Sequence, residues 1–281
     1  MNKLALGTVQ FGLDYGLSND KGKTSYEEAK KIIKILKVNN IDTLDTAPEY
    51  GSSEKVLGKI GVNNFHLVTK TSPLKFGVDN VIKSFHQSLK NLNTKSVDGL
   101  LIHNIEEVKD SAFDDLFKEL LRLKQDKLIN KIGFSAYMPE QVDFLLNNFD
   151  FDLIQVPINV FDTRLIDGGQ LLSLKNKKIE VHARSIFLQG LLLDFKKLDV
   201  YFSQWINQFN CYQEEVNASN LSLLEYALNY VINIKEIDKV VVGVNNEKQL
   251  IEITKVKLEK NNLKAYPLRD INLLNPSLWK I

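Results

Sequence analysis

The chain has 281 residues, and its 36 Lys and Arg against 35 Asp and Glu leave a formal charge of +1, with no general pull toward nucleic acid or anionic lipid. Apolar residues make up 44 % and charged residues 25 %, and no apolar run approaches the roughly 20 residues that span a bilayer, so the composition is that of a soluble globule. A single cysteine, Cys211, excludes an internal disulfide and a cysteine-based metal site.

In chain order the sequence alternates short β-branched runs with longer stretches of helical period. "MNKLALGTVQFG" enters a strand at once, over 3–8, and is no secretory leader, so a reducing cytoplasm is the expected location. "SYEEAKKIIKILKVNN" follows with Ala29, Ile32, Ile33 and Leu36 on one helical stripe, then a strand over 41–46. A third strand covers 65–70, and "VDNVIKSFHQSLKNL" follows it with Val78, Val81, Ile82, Phe85 and Leu89 on one face. Strands over 97–103, 129–135, 151–157, 179–185 and 239–244 continue the alternation, with the charge-rich "FDDLFKELLRLKQDKL" read as a helix with one solvated face. Eight such units, with no linker or composition break, predict an α/β fold, a (β/α)8 TIM barrel forming one domain over 1–281; an open doubly wound sheet is the runner-up.

The stretch 186–222 predicts an extra helix whose Phe202, Trp205, Ile206 and Phe209 pack inward, and the tail "LRDINLLNPSLWKI" reads as a surface loop able to edge a pocket. Gly168 and Gly169 read as a turn. His66, His86 and His182 lack metal-ligand spacing, and no metal is expected. Cys211 reads as a buried or idle thiol.

In a parallel barrel all strands point their C-terminal ends to one face, where catalytic groups gather. The polar residues at those ends are Thr8, Asp45, Lys70, His103, Ser135, Gln155, Arg184 with Ser185, and Asn245 with Asn246; Tyr50 follows the second strand by a short loop. Any one of them alone reads as a solvated cap. As a set they offer chemistry: an ammonium at Lys70 stabilises a Tyr50 phenolate and draws its pKa toward the working range. Asp45 keeps the lysine charged, and His103 orients a substrate oxygen. This apparatus protonates a carbonyl oxygen while hydride reaches carbon, and since no side chain supplies hydride, a nicotinamide cofactor is implied. Phe11, Asp14 and Tyr15 are expected near the mouth, and specificity is expected in the loops 9–23, 104–112 and 186–220 and in the tail.

The stretches "LDTAPEYGSSEKVLG", "LVTK", "LLIHN", "LINKIGFSAY", "FDLIQVPINVFD" and "VHARSIFLQGLL" resemble, in order, the motifs of the aldo-keto reductases. The resemblance implies a barrel that binds an extended NADPH or NADH across its C-terminal face, with Asp45, Tyr50, Lys70 and His103 as the catalytic tetrad. It further implies that Ser135 and Gln155 hold the nicotinamide carboxamide, with Thr8 near its ribose. Ser185, Phe187 and Gln189 would carry the pyrophosphate, and Gly243, Asn246 and Gln249 would meet the adenosine. The expected activity is reduction of an aldehyde or ketone by a monomer or weak oligomer acting on a small-molecule carbonyl. A redox-sensing regulatory protein, or a dehydratase or epimerase-like enzyme that retains the cofactor, is the alternative.

Three positions depart from the family pattern. Ala136 stands where Asn is usual, and Arg184 where an aromatic ring commonly stacks on the nicotinamide; the arginine would favour the reduced cofactor or hold an anionic substrate. Asn245 and Asn246, with Lys248 beyond, replace the cation that usually meets a 2′-phosphate, which leaves NADH open.

Overall fold

The apolar runs at the eight strand positions have no polar face to give to solvent, and they pair in chain order into a ring. In the computed structural model, which describes residues 3–17, 19, 21–196, 198–258 and 263–281, the strands are β1 (Leu4–Gly7), β2 (Thr43–Asp45), β3 (His66–Lys70), β4 (Val97–Ile102), β5 (Ile129–Ser135), β6 (Leu153–Pro157), β7 (Glu180–Arg184) and β8 (Lys239–Gly243). Every pairing is parallel, and β8 closes on β1, with Gly7 opposite Gly243. The barrel is therefore the architecture, and the open-sheet alternative is set aside.

Helices cover the ring outside: α1 (Tyr26–Val38), α2 (Ser53–Ile60), α3 (Val78–Leu92), α4 (Phe113–Gln125), α5 (Pro139–Asn148), α6 (Arg164–Asp167), α7 (Gln170–Asn176), α8 (Ile206–Ala218), α9 (Leu223–Ile232), α10 (Glu247–Lys255) and α11 (Ile271–Leu274). Each long one starts and faces as its sequence dictates. Ser25 caps α1 by accepting from the Glu28 N–H, and Ala29, Ile32, Ile33 and Leu36 form its buried stripe. On α4 the buried face is Phe113, Leu116, Leu120 and Leu123, while Asp115–Lys118 and Glu119–Arg122 pair along the wet side. Gly168 ends α6 and Gly169, at φ 81°, begins α7, so the glycine pair is a turn between two short helices.

The main core lies between ring and helices, and a small cluster of Val68, Leu101 and Leu153 fills the barrel's centre. A second apolar cluster stands outside, where Phe202, Trp205, Phe209 and Tyr212 of the 186–222 segment meet Phe161, Tyr226, Leu273 and Leu274. Three expectations are corrected here. Ile206 points to solvent, because at the first position of α8 it is turned away from the face that Phe209 and Tyr212 bury. The tail is no plain surface loop: Leu273 and Leu274 on α11 are fully buried against that cluster, since two adjacent leucines need an apolar partner. Cys211 is exposed on α8, not buried.

Candidate active site at the C-terminal face

Tyr50 is carried on a tight turn after β2, and glycines decide how closely that turn can sit against the first loop. A Cβ on Gly12 would lie 1.7 Å from the Tyr50 carbonyl oxygen, and one on Gly51 would lie 2.6 Å from the Gly12 carbonyl. The two backbones thus touch with nothing between them. Gly51 also takes φ 57°, a left-handed conformation that costs a side-chain-bearing residue roughly 1 kcal/mol or more. Ser53 locks the same corner: its hydroxyl donates to the Thr8 carbonyl at 2.9 Å and lies 3.2 Å from Thr46 Oγ1.

Next along the ring, Asp45 and Lys70 end β2 and β3. Lys70 Nζ donates to both Asp45 oxygens at 2.7 and 2.8 Å and to the Thr46 carbonyl at 3.0 Å, and it lies 4.9 Å from the Tyr50 ring centre. Burial opposes its charge, but Asp45 outweighs that, and the nearby Tyr50 adds to it, so Lys70 is held above the ordinary lysine range. It is a fixed cation. The effect on Tyr50 corrects the expectation of a lowered phenol pKa. Burial raises it first, and although Lys70 pulls it down, Asp45 opposes, so the net direction is upward. The physical reason is that much of the ammonium's field is spent on Asp45, while dry walls penalise the phenolate.

His103 stands across Tyr50 in an edge-to-face contact, ring centres 6.1 Å apart. Burial first, then the positive field of Lys70, lower its pKa to about 4, so the imidazole is neutral at neutral pH. Glu49 Oε2 approaches Nδ1 to 2.9 Å but off the line of a hydrogen bond, and among the described residues that nitrogen has no hydrogen-bonding partner.

These groups form the floor of one cavity of about 780 Å³, within the roughly 300–1,000 Å³ usual for ligand sites. Thr8, Asp45, Tyr50, Lys70, His103, Ser135, Gln155, Arg184, Ser185, Phe187, Gln189, Gly243 and Gln249 all line it. Asn246 does not. It caps α10 by accepting from the Gln249 N–H at 3.1 Å, and Asn245 takes its place in the wall. Thr8 reaches the cavity with its hydroxyl already engaged, donating to the Asp45 carbonyl at 2.9 Å. Gln155 likewise donates to Asp45 Oδ1 at 2.7 Å, which makes it a second holder of the carboxylate.

The loop after β7 crosses the cavity in a left-handed run, Leu188 at φ 46°, Gln189 at 55° and Gly190 at 96°, and meets the loop after β1: Gln189 Nε2 donates to the Tyr15 hydroxyl at 3.1 Å and its carbonyl accepts from Leu17 N. Tyr15 is pocket wall as expected. Phe11 is buried in the core, Asp14 accepts from Asn19, and the 104–112 loop and the tail contribute nothing to the wall among the described residues.

Sequence reasoning missed several residues. Glu49 and Tyr137 lie inside quoted motifs yet carry no spacing signal. Ser222, Leu223 and Leu224, at the start of α9, join the wall only through the fold. Glu54, buried behind β3, accepts from Thr69 at 2.9 Å, and burial raises its pKa.

A closed parallel barrel whose C-terminal face carries a phenol, an ammonium, a carboxylate and a neutral imidazole around one deep cavity is a barrel enzyme equipped for proton transfer. The chain belongs to the aldo/keto reductase family, whose model matches residues 3–274. It is an NAD(P)-dependent oxidoreductase, and its family reduces carbonyl groups. It is 25 % identical over 263 residues to a D-arabinose 1-dehydrogenase of Saccharomyces cerevisiae, covering 82 % of this chain and 77 % of that one. An oxidoreductase, sirO, of Leptosphaeria maculans is 32 % identical over 218 residues, 72 % of this chain and 65 % of its own. Among solved structures, the holo form of aldo-keto reductase AKR11C1 from Bacillus halodurans superposes with TM-score 0.75 at 20 % identity, covering 95 % of this chain and 88 % of that one.

The cavity suits the nicotinamide dinucleotide this family uses. Beyond Tyr50, Lys70 and His103 it runs past Ser185 and Gln189 to Gln249 and Glu252, and two polar atoms on that side, Gln10 Oε1 and Asn245 Oδ1, are buried without partners among the described residues. Among the described residues, no helix is long and apolar enough to cross a membrane.

Proposed function

We propose that the protein reduces an aldehyde or ketone to the alcohol, with Tyr50 as general acid and the reduced dinucleotide lying along the cavity. The supporting observation is the chain of contacts Asp45 to Lys70 to Tyr50 at the cavity floor. When bound, the reduced nicotinamide supplies a hydride to the carbonyl carbon. Tyr50 gives its hydroxyl proton to the carbonyl oxygen, so C=O becomes CH–OH, and Lys70 donates to the phenolate left behind. Because burial raises its pKa, Tyr50 enters the step fully protonated, as an acid must. Neutral His103 orients the carbonyl by hydrogen bonding, and its low pKa keeps it from competing for the proton.

For the dinucleotide we favour NADH over NADPH. At the start of α10 the Glu247 N–H already donates to Glu28 at 2.7 Å, and Lys31 is held between Glu28 and Glu247 at 3.3 Å each. Carboxylates there repel a 2′-phosphate. Ser135, Ser185 and Phe187 serve as further cofactor contacts.

Tyr50→Phe tests the reading. Turnover of simple aldehydes should fall by about 10²–10⁴-fold or more, the usual share of a general acid, while NADH binding followed by fluorescence stays nearly unchanged. Retention of most of the rate sinks the assignment, and NADH binding by the unaltered protein without turnover of any aldehyde supports a redox sensor instead. In the same titration NADPH should bind more weakly than NADH.

A further inference from the structure

We propose that the substrate is an anionic carbonyl compound whose carboxylate is held by Arg184; this rests on the carbonyl-reducing site above. Arg184 ends β7 and lines the cavity with Tyr50, Lys70 and His103. Its guanidinium carbon lies over the Tyr137 ring, 3.9 Å from the ring centre, and its two hydrogen bonds, to Ser185 Oγ and to the carbonyl of Ala136, are both long at 3.3 Å. No carboxylate among the described residues lies within ion-pair distance of it, whereas the buried Arg164 grips Asp162 with two bonds of 2.7 Å. A guanidinium is charged at any working pH and presents a planar fork that matches a carboxylate. Tyr137 backs that fork, whose donors find only these two distant acceptors.

The charge count around the reacting carbonyl decides the ligand class. At this end of the cavity the charged side chains in the wall are Lys70, Asp45 and Arg184, with Glu252 at the far end and the half-exposed Glu49 outside the wall beside His103. Two cations face one carboxylate. Asp45 is saturated by Lys70 and Gln155, so the surplus positive charge belongs to Arg184. A neutral aldehyde leaves that charge unanswered in a half-buried wall, which is costly. A carboxylate of one negative charge balances it, while a phosphate of nearly two exceeds it. The ligand chemistry Arg184 recognises is thus an anion, and besides the substrate only the pyrophosphate of the dinucleotide could supply one.

Kinetics with a matched pair separate the two sources. With saturating NADH, 4-formylbenzoate and its neutral methyl ester are compared as the ratio of their kcat/KM values, and NADH binding is titrated in parallel. The ratio should favour the carboxylate by about 10- to 100-fold, the worth of one charge-assisted hydrogen-bonded contact. Arg184→Gln should bring it to about one and Arg184→Lys to an intermediate value, with melting curves confirming folded protein. A ratio at or below one in the unaltered protein, or one that survives Arg184→Gln, overturns the inference. So does an unchanged ratio with NADH affinity reduced tenfold or more, which assigns the cation to the pyrophosphate. Should neither aldehyde turn over, the carbonyl-reducing reading fails first; calorimetric titration of both compounds into NADH-saturated Tyr50→Phe protein then reads the anion preference without chemistry, and equal affinities overturn it.

Discussion

The two ends of this barrel use the same residue types for opposite purposes. At the N-terminal face Lys131 bridges Asp98 and Glu180 at 2.9 and 2.7 Å, Lys239 meets Asp42 at 2.7 Å, Lys175 meets Asp238, and fully buried His182 meets Glu180 at 2.7 Å. Each of these cations meets a carboxylate, although His182 Nδ1 finds no hydrogen-bond partner among the described residues. At the C-terminal face Lys70 and Asp45 are matched, but among the described residues Arg184 has no carboxylate, the His103 Nδ1 has no hydrogen-bond partner, and Gln10 and Asn245 leave buried oxygens without one. Pairing spends charge on the fold, and leaving it unpaired keeps it available for a ligand. Strand direction alone separates the two ends, since helix-length crossovers put the variable loops on the side where the strands stop.

The strongest break in that comparison is Lys70→Met, because Lys70 belongs to both kinds of group. Removing it leaves Asp45 buried with only Gln155 and strips the phenolate of its cation. Thermal unfolding should show a loss of about 3–5 kcal/mol, the usual cost of breaking a buried ion pair, and turnover should fall as far as in Tyr50→Phe. The double change Lys70→Met with Asp45→Asn should recover much of the stability and none of the rate. If the double variant regained turnover, the lysine's role toward Tyr50 would be refuted.

Glu180→Gln probes the other end alone. Burial raises the Glu180 pKa, but hydrogen bonds from His182 and Lys131 overcome that and hold it at about 2, against an ordinary value of 4.5. A depressed acid contributes stability that is complete above pH 4.5 and is lost as pH falls toward 2. The shift corresponds to about 3 kcal/mol, reduced somewhat by partial exposure. His103 adds a separate acid loss: the unfolded chain takes up its proton from pH 6.5 downward, the folded one only near 4, so stability declines between those values and levels off below. Urea midpoints measured from pH 7 to pH 3 should therefore fall in both proteins, with Glu180→Gln lower at neutral pH and losing less below pH 4.5. Its kcat should match that of the unaltered enzyme, and a large change in rate would show that the two ends are coupled.

How far this contrast could be read beforehand differs between backbone and side chain. Strand period and order place Asp45, Lys70, His103, Ser135, Gln155 and Arg184 at one face, because a parallel ring allows no other arrangement of consecutive strand ends. Direction within the face is not in the pattern. That Gln155 turns to Asp45, that Thr8 is tied to a carbonyl, and that Glu28 reaches across from α1 to the start of α10 all depend on separations of 37 to 219 residues that no local period encodes. The Tyr50 pKa ran opposite to expectation for a related reason. Proximity of a cation is legible in strand order, but the dryness of the walls is a property of the closed cavity.

The smallest effect is expected where a C-terminal-face residue has a structural job. Asn246 was expected to meet the adenosine, yet its Oδ1 accepts from the Gln249 N–H, and Gln249 Oε1 accepts in turn from Asn245 N at 2.7 Å. This reciprocal cap satisfies two backbone donors at the start of α10. Asn246→Ala should cost about 1 kcal/mol in unfolding free energy, the usual worth of an N-cap, while Asn246→Asp or Asn246→Ser restores it. If capping is its only role, NADH affinity follows stability: weaker by a few-fold in the alanine variant and recovered in the serine one. A tenfold loss of affinity that serine fails to rescue would place Asn246 among the groups kept free for the ligand, and would move the boundary between the two uses of charge and polarity one residue along the chain.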